Sequence, residues 1–152
     1  MDRNLFKLLG ERFGDPFTSL DSEQIGPGSS FMDQFELRKK DFSCKTPSRR
    51  AHRIPLHMPL LKQIPNLYKY YEKRSSSVLL THEDYKSLFH PVVNMILGLI
   101  NEQVSQIKAK VEKAIETIVL VSGFGSSPYL RETISECCRA RDIRLTTTIS
   151  GP

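Results

Sequence analysis

Ile118-Val119-Leu120-Val121-Ser122-Gly123-Phe124-Gly125-Ser126-Ser127-Pro128-Tyr129-Leu130 is the stretch that places the rest of the chain. Four consecutive aliphatics, Ile118 to Val121, break into a glycine- and serine-rich turn, and a helix-start signal follows at once. A short apolar run bounded by glycines predicts a strand buried on both faces, under covering helices. Ser127 suits an N-cap, and Pro128 suits the first helical position, where its fixed φ fits and its missing N–H is no loss. Glycines let backbone approach a ligand closely, and a helix start offers unpaired N–H groups at a positive dipole end. Strand, glycine-rich turn and helix together hold nucleotides at the carboxyl ends of strands in α/β proteins. The same residues also make a tight strand-to-helix turn that needs small side chains for packing alone. Both readings stand at this point.

Outward from that stretch the periodicity switches between helix and strand. Val92, Val93, Ile96, Leu97, Ile100, Val104, Ile107 and Val111 recur at three- and four-residue steps, which predicts a long helix lying along a sheet or core and ending near Lys113. Before it, Thr81-His82-Glu83-Asp84 reads as a capping box with Asp in place of the usual Glu, and Leu80 and Tyr85 form the hydrophobic staple. That helix is expected to stop near Phe89, with His90-Pro91 starting the long one. After the turn, Pro128 to about Arg141 sets Leu130, Ile134 and Cys137 on one face. Ile143, Leu145, Thr147 and Ile149 alternate with Arg144, Thr146 and Thr148 as a final strand. Toward the N-terminus, Leu5 to Phe13 is a short helix. Phe31 to Phe42 is a second, with Phe31, Phe35 and Phe42 in one stripe and Glu36, Lys39 and Lys40 on a charged flank, where Glu36 and Lys40 can pair at i, i+4. Residues 43 to 77 hold short extended pieces at most, around Arg53 to Leu56, and Val78 to Leu80 is a brief strand.

The 152 residues suit one domain or a piece of a larger one. No apolar run nears the ~20 residues that span a bilayer, and the charged N-terminal stretch lacks a signal-peptide core. Three cysteines, two of them adjacent, offer neither a disulfide framework nor zinc spacing, so a cytoplasmic protein is expected. The net charge of +5 is uneven: Lys45 to Arg74 carries eight Lys/Arg against the single acid Glu72, +7, which leaves 14 basic and 16 acidic residues elsewhere, −2. Tyr68, Tyr70 and Tyr71 lie among those cations, a combination that can grip single-stranded nucleic acid. Four prolines in the same segment favour a solvated connector instead, so neither nucleic acid nor a membrane is expected as a partner. The four histidines are scattered, and no nucleophile, general acid or metal site assembles. Ser126 and Ser127 lack the strained elbow of a hydrolase, because proline follows them.

Three blocks, in order and at fitting spacing, carry a resemblance: GPGSSFMDQFELRKKDF at 26 to 42, LLTHEDYKSLFHPVVNMILGLINEQ at 79 to 103, and LVSGFGSSPYLRE at 120 to 132. The chain resembles the nucleotide-binding domain of the seventy-kilodalton heat-shock (DnaK-type) chaperones, in its divergent fungal form, over nearly all its length. The resemblance implies an α/β fold, a partial actin-like (ribonuclease-H-like) ATPase lobe, in which a helical subdomain joins an incomplete sheet covered by helices. Residues 1–78 would form the helical and extended subdomain, with a basic, proline-rich connector at 45–77. Residues 79–152 would form the α/β part, truncated before its closing helix.

In that family a helix of pattern Glu-x-x-Lys-Lys/Arg-x-x-Ser clasps adenine and ribose, and Glu36, Lys39, Lys40 and Ser43 match it. Ser122 and Gly123 match two glycines under the ribose and α-phosphate, and Gly125 and Ser126 fall nearest the base. Ser122 departs from the family glycine and adds a side chain where backbone should come close, and His90 replaces an Asp before Pro91. The family's phosphate-gripping hairpins, catalytic lysine and magnesium-positioning carboxylates have no counterpart in the sequence. The resemblance therefore implies ATP/ADP binding, weak or lost, without ATP hydrolysis by this chain as it stands, and magnesium only in an assembled complete domain. The expected partner is the missing first lobe or an intact homologue. The competing expectation is a degenerate lobe that serves as a protein-interaction scaffold without nucleotide.

Overall fold

The computed structural model describes residues 1–45, 50–59, 61, 64–111, 114–121 and 127–147. Its described elements are mixed α/β and fall into two compact units, residues 1–39 with 47–88 and residues 40–46 with 89–152.

The first unit starts from an apolar helical stripe. α1 (Asp2–Phe13) buries Leu5, Leu9 and Phe13 at four-residue spacing. It ends at Gly14, whose φ of +58° is costly for any other residue, and whose amide donates to the Gly10 carbonyl at 2.8 Å. The short α2 (Asp15–Thr18) and α3 (Ser22–Ile25) bury Phe17 and Ile25. α4 (Ser30–Asp41) is capped by Ser29, whose hydroxyl accepts from the Met32 amide at 3.2 Å, and it buries Phe31, Met32 and Phe35. β1 (His52–Pro55), β2 (Tyr71–Glu72) and β3 (Ser77–Leu80) form an antiparallel sheet in the order β1-β3-β2. Ile54 and Tyr71 both stand opposite Val78, and all three are buried.

The capping box forms as expected at the start of α5 (His82–Val111). Thr81 N–H donates to Asp84 Oδ2 at 2.8 Å, and Asp84 N–H donates to Thr81 Oγ1 at 3.1 Å. Leu80 and Tyr85, the two residues of the staple, are buried. Tyr85 stacks on Phe35 with ring centroids 5.8 Å apart, and His52 meets it edge-on at 5.5 Å. Burial, then the nearby Arg38 and His82, lowers the His52 pKa below its ordinary value.

In the second unit β4 (Thr117–Leu120), α6 (Pro128–Arg139) and β5 (Arg144–Thr147) make a parallel strand pair with a helical crossover, Ile118 opposite Leu145 and Leu120 opposite Thr147. α6 starts where the sequence reading put it, with Ser127 as N-cap and Pro128 at its first position, and buries Tyr129, Leu130, Ile134 and Cys138. Cys138, one position after the Cys137 expected on that face, is the cysteine that packs inward. Its burial, then the neighbouring Cys137, raises its pKa. Phe42, Phe89 and Tyr129 form an aromatic cluster with centroids 5.1 to 5.3 Å apart.

Three local expectations need correction. α5 does not stop at Phe89 but runs through Pro91 as one 30-residue helix. Pro91 cannot donate to the Ser87 carbonyl, yet a proline removes only one helix bond, and Asn4 Nδ2 donates to the next carbonyl, Leu88 O, at 3.0 Å. From Asn94 to Val111 no α5 residue is fully buried, and Met95 and Leu99 are 61% and 55% exposed. The helix spans about 45 Å, and the described residues leave its second half without a buried side chain. The Ile118 run is not buried on both faces either. Its strand alternates exposed and half-buried residues, with Val119 at 52%, because β5 is its one neighbour among the described residues, and Val121 just past it is 64% exposed.

Candidate functional site

The charged flank of α4 separates into three situations. Lys39 Nζ pairs with Glu36 one turn back in a short contact, lies 3.5 Å from Asp2 Oδ1, and sits 5.6 Å from the Phe35 ring centroid. Glu36 thus pairs with Lys39 rather than with Lys40, the expected i, i+4 partner. The Lys39 stem is largely covered, with 18% of the side chain exposed, so the ammonium is held against an aromatic face between two carboxylates. Lys40 is exposed. Ser43, past the helix end, is half-buried and belongs to a separate hydrogen-bond network.

That network belongs to the second unit. Ser43 Oγ donates to Glu132 Oε1 at 2.7 Å, and the Cys44 amide donates to Glu132 Oε2 at 3.1 Å. Ser43 Oγ also accepts from the Lys45 amide at 3.1 Å, and Tyr129 N–H donates to the Phe42 carbonyl at 3.2 Å. One carboxylate on α6 therefore fastens the segment that leaves α4, with both oxygens engaged. The sequence reading singled out Ser43 but gave Glu132 no role, although both lie in or next to quoted blocks. Their separation of 89 positions leaves no local signal.

Beside this junction is a cleft of about 390 Å³ lined by Lys45, Pro128, Arg131, Glu132, Leu145 and Thr147. It joins the first turn of α6 to Thr147, the last residue of β5, and so lies at the carboxyl end of the parallel pair. Crevices at that end of parallel strands are where α/β proteins bind ligands. Lys45 and Arg131 bring two positive charges to its wall, Glu132 one negative charge, and Thr147 a hydroxyl. Ser127, at the start of α6, is 7% exposed, and its hydroxyl has no hydrogen-bond partner among the described residues. It caps the helix by position only, since no side-chain cap bond forms. Ser127 is not among the residues that line the cleft, and its hydroxyl is buried.

Ser122, Gly123, Gly125 and Ser126 lie outside the described residues, between Val121, which follows β4, and Ser127. Of the eight residues singled out from sequence, four are thus placed, and one of those, Ser43, belongs to the network beside the cleft. Lys45, Arg131 and Thr147, which line it, were not singled out. Arg131 had a signal to be found by: it follows Pro128 by three residues and so falls in the first turn of the helix. Among the described residues no three His, Cys, Asp or Glu side chains gather as metal ligands. None of the described helices is long and apolar enough to cross a membrane. Compared with known proteins, the chain matches no family model, no curated protein and no solved structure.

Proposed function

We propose that the chain is the adenosine-nucleotide-binding part of a chaperone-like ATPase domain of actin-like fold, binding ADP or ATP without hydrolysing it alone. The observation that carries this reading is the coupling of Ser43 to Glu132. It joins the end of the Glu36-x-x-Lys39-Lys40-x-x-Ser43 pattern to the helix that follows the glycine-rich turn, the two stretches that the resemblance assigns to one ligand. The donor set beside that coupling fits a nucleotide. Lys45 and Arg131 can meet phosphate oxygens, the Thr147 hydroxyl can bond ribose or phosphate, and Leu145 gives an apolar wall for a base. Glu132 opposes phosphate but suits ribose hydroxyls, and its charge is partly spent on Ser43 and the Cys44 amide. Binding and orientation are what these side chains supply. Magnesium and the γ-phosphate chemistry belong to a completed domain.

Thermal unfolding across an ADP titration tests the reading. A ligand bound only by the folded chain stabilises it by about 2.7 kcal/mol at a hundredfold excess over its Kd, so the midpoint is expected to rise with ADP. Lys45→Ala with Arg131→Ala is expected to leave the ligand-free midpoint nearly unchanged and to abolish the rise. A cooperative transition blind to ADP sinks the nucleotide reading.

One observation favours the alternative of a scaffold without nucleotide. Met95, Leu99, Val111, Val119 and Val121, all in the second unit, are each more than half exposed. Isolated exposed apolar side chains are ordinary, but a helix stretch without a buried residue, together with a half-exposed strand, is what a lobe that gives up its nucleotide and keeps a partner would show. The ADP titration separates the two.

A further inference from the structure

The first unit holds a second cleft, of about 680 Å³, within the ~300–1,000 Å³ range of ligand sites. Ile64, Leu67, Tyr71 and Leu79 give it apolar walls, and Tyr68 stands at it with 73% of its surface exposed. Lys73 and Arg74 line its edge, are exposed, and form no ion pair among the described residues. The acid beside them, Glu72, is already engaged. Arg53 donates to both its oxygens, at 2.9 and 3.2 Å, and Ser75 Oγ donates to one in a short contact. Arg53, Lys73 and Arg74 against Glu72 leave this edge at +2, inside the segment that carries the chain's positive excess. β2, which brings Tyr71 and Glu72 to the cleft, is an outer strand of its sheet among the described residues.

We infer that this cleft binds a short, extended peptide in which apolar side chains alternate with acidic ones. Each part of the site matches one part of that ligand. The apolar walls take alternate aliphatic or aromatic side chains, and the +2 edge pairs with the carboxylates between them. The outer strand gives an extended backbone a direction to run along, and exposed Tyr68 supplies a rigid amphipathic anchor. A single-stranded nucleic acid fits less well. Successive bases need successive aromatic platforms, whereas Tyr71 is buried with its hydroxyl donated to Leu56 O at 2.9 Å, so among the described residues Tyr68 alone is an open aromatic at this cleft. The inference does not depend on nucleotide binding, since every residue it uses lies in the first unit and the cleft beside Ser43 lies in the second.

Fluorescence anisotropy on the full chain tests it, with a fluorescein-labelled eight-residue peptide of alternating glutamate and leucine as probe. Saturable binding is expected, weakened at least about tenfold, or 1.4 kcal/mol, by Tyr68→Ala and by Lys73→Glu with Arg74→Glu. All three side chains are exposed, so far-UV circular dichroism of the variants should match the parent chain. A glutamate/serine peptide and a lysine/leucine peptide should bind much more weakly. Equal binding of the glutamate/serine peptide, indifference to the variants, or no saturable binding overturns the inference. Tighter binding of a labelled eight-nucleotide oligothymidine, lost in the same variants, overturns it in favour of nucleic acid. The ADP midpoint shift should be unaffected by any of these substitutions.

Discussion

Asp84 shows how much one side chain can hold. Its carboxylate closes the capping box on Thr81, accepts from Arg12 Nη1 at 3.1 Å, and meets Nη2 of the same guanidinium in a shorter contact. Arg12 in turn lies 4.4 Å from the Tyr70 ring centroid. Burial alone would push the Asp84 pKa up. The Arg12 hydrogen bond and the Thr81 amide outweigh it, and hold the group below its ordinary 3.8. A carboxylate whose folded pKa is depressed adds stability that is complete above the unfolded value and is lost as pH falls through the folded one. Stability from this residue should therefore start to decline as pH approaches 3.8 from above, and should be gone once pH is below the depressed value. Asp84→Ala is expected to cost about 2 kcal/mol at neutral pH, about 1 from the lost cap and the rest from the partly buried pair, and to remove this part of the acid sensitivity. Urea midpoints of both chains at several pH values check it. A variant within 0.5 kcal/mol of the parent chain would mean, at about a quarter of the expected loss, that neither contact matters. Half of this arrangement was legible beforehand, because Thr81 and Asp84 are three residues apart. Arg12, 72 positions away, was not.

At the scale of elements, α5 and the β4-α6-β5 unit set the limits of local reading. The helical period of α5 was visible, and so were the first residues of α6 and the alternation in β5. Local rules misplaced the boundary at His90-Pro91, since a proline in a helix usually marks a start, and here it stands inside. Leu88 O finds a donor in Asn4, which a local rule has no means to see. Pro91→Ala restores a donor to the Ser87 carbonyl and removes the ring clash there. It is expected to stabilise the chain by about 1–3 kcal/mol and to raise helical ellipticity slightly. A lower midpoint in a thermal melt followed at 222 nm would show that the proline shapes the helix usefully. The candidate site divides in the same way. Ser127 and Pro128 were readable as a helix start, and Ser43 from its pattern, while Lys45 and Thr147 join the cleft because α6 and β5 bring them there.

For the molecule as a whole, the exposed apolar residues of the second unit matter most. A half-exposed two-stranded sheet and an uncovered helix stretch favour association, since strand edges and apolar surface are both templates for it. Sedimentation velocity should show the chain self-associating as its concentration rises through roughly the micromolar to millimolar range, and Met95→Lys with Leu99→Glu should reduce this without lowering the thermal midpoint. A monomer at every concentration would mean that the surface is well tolerated in water. Capping at Thr81, the start of α6 at Pro128, the stripes of α1 and α4, and the strands at Val78 and Leu145 could be read in advance, because each depends on backbone preference, hydrogen bonds and side-chain spacing close along the chain. The Arg12–Asp84 pair, the Ser43–Glu132 coupling, the three-stranded sheet built on a two-residue β2, the passage of α5 through Pro91 and the half-burial of β4 could not. Each of these is settled by which distant groups remove a surface from water or satisfy a polar atom, and neighbours along the chain carry no record of that choice.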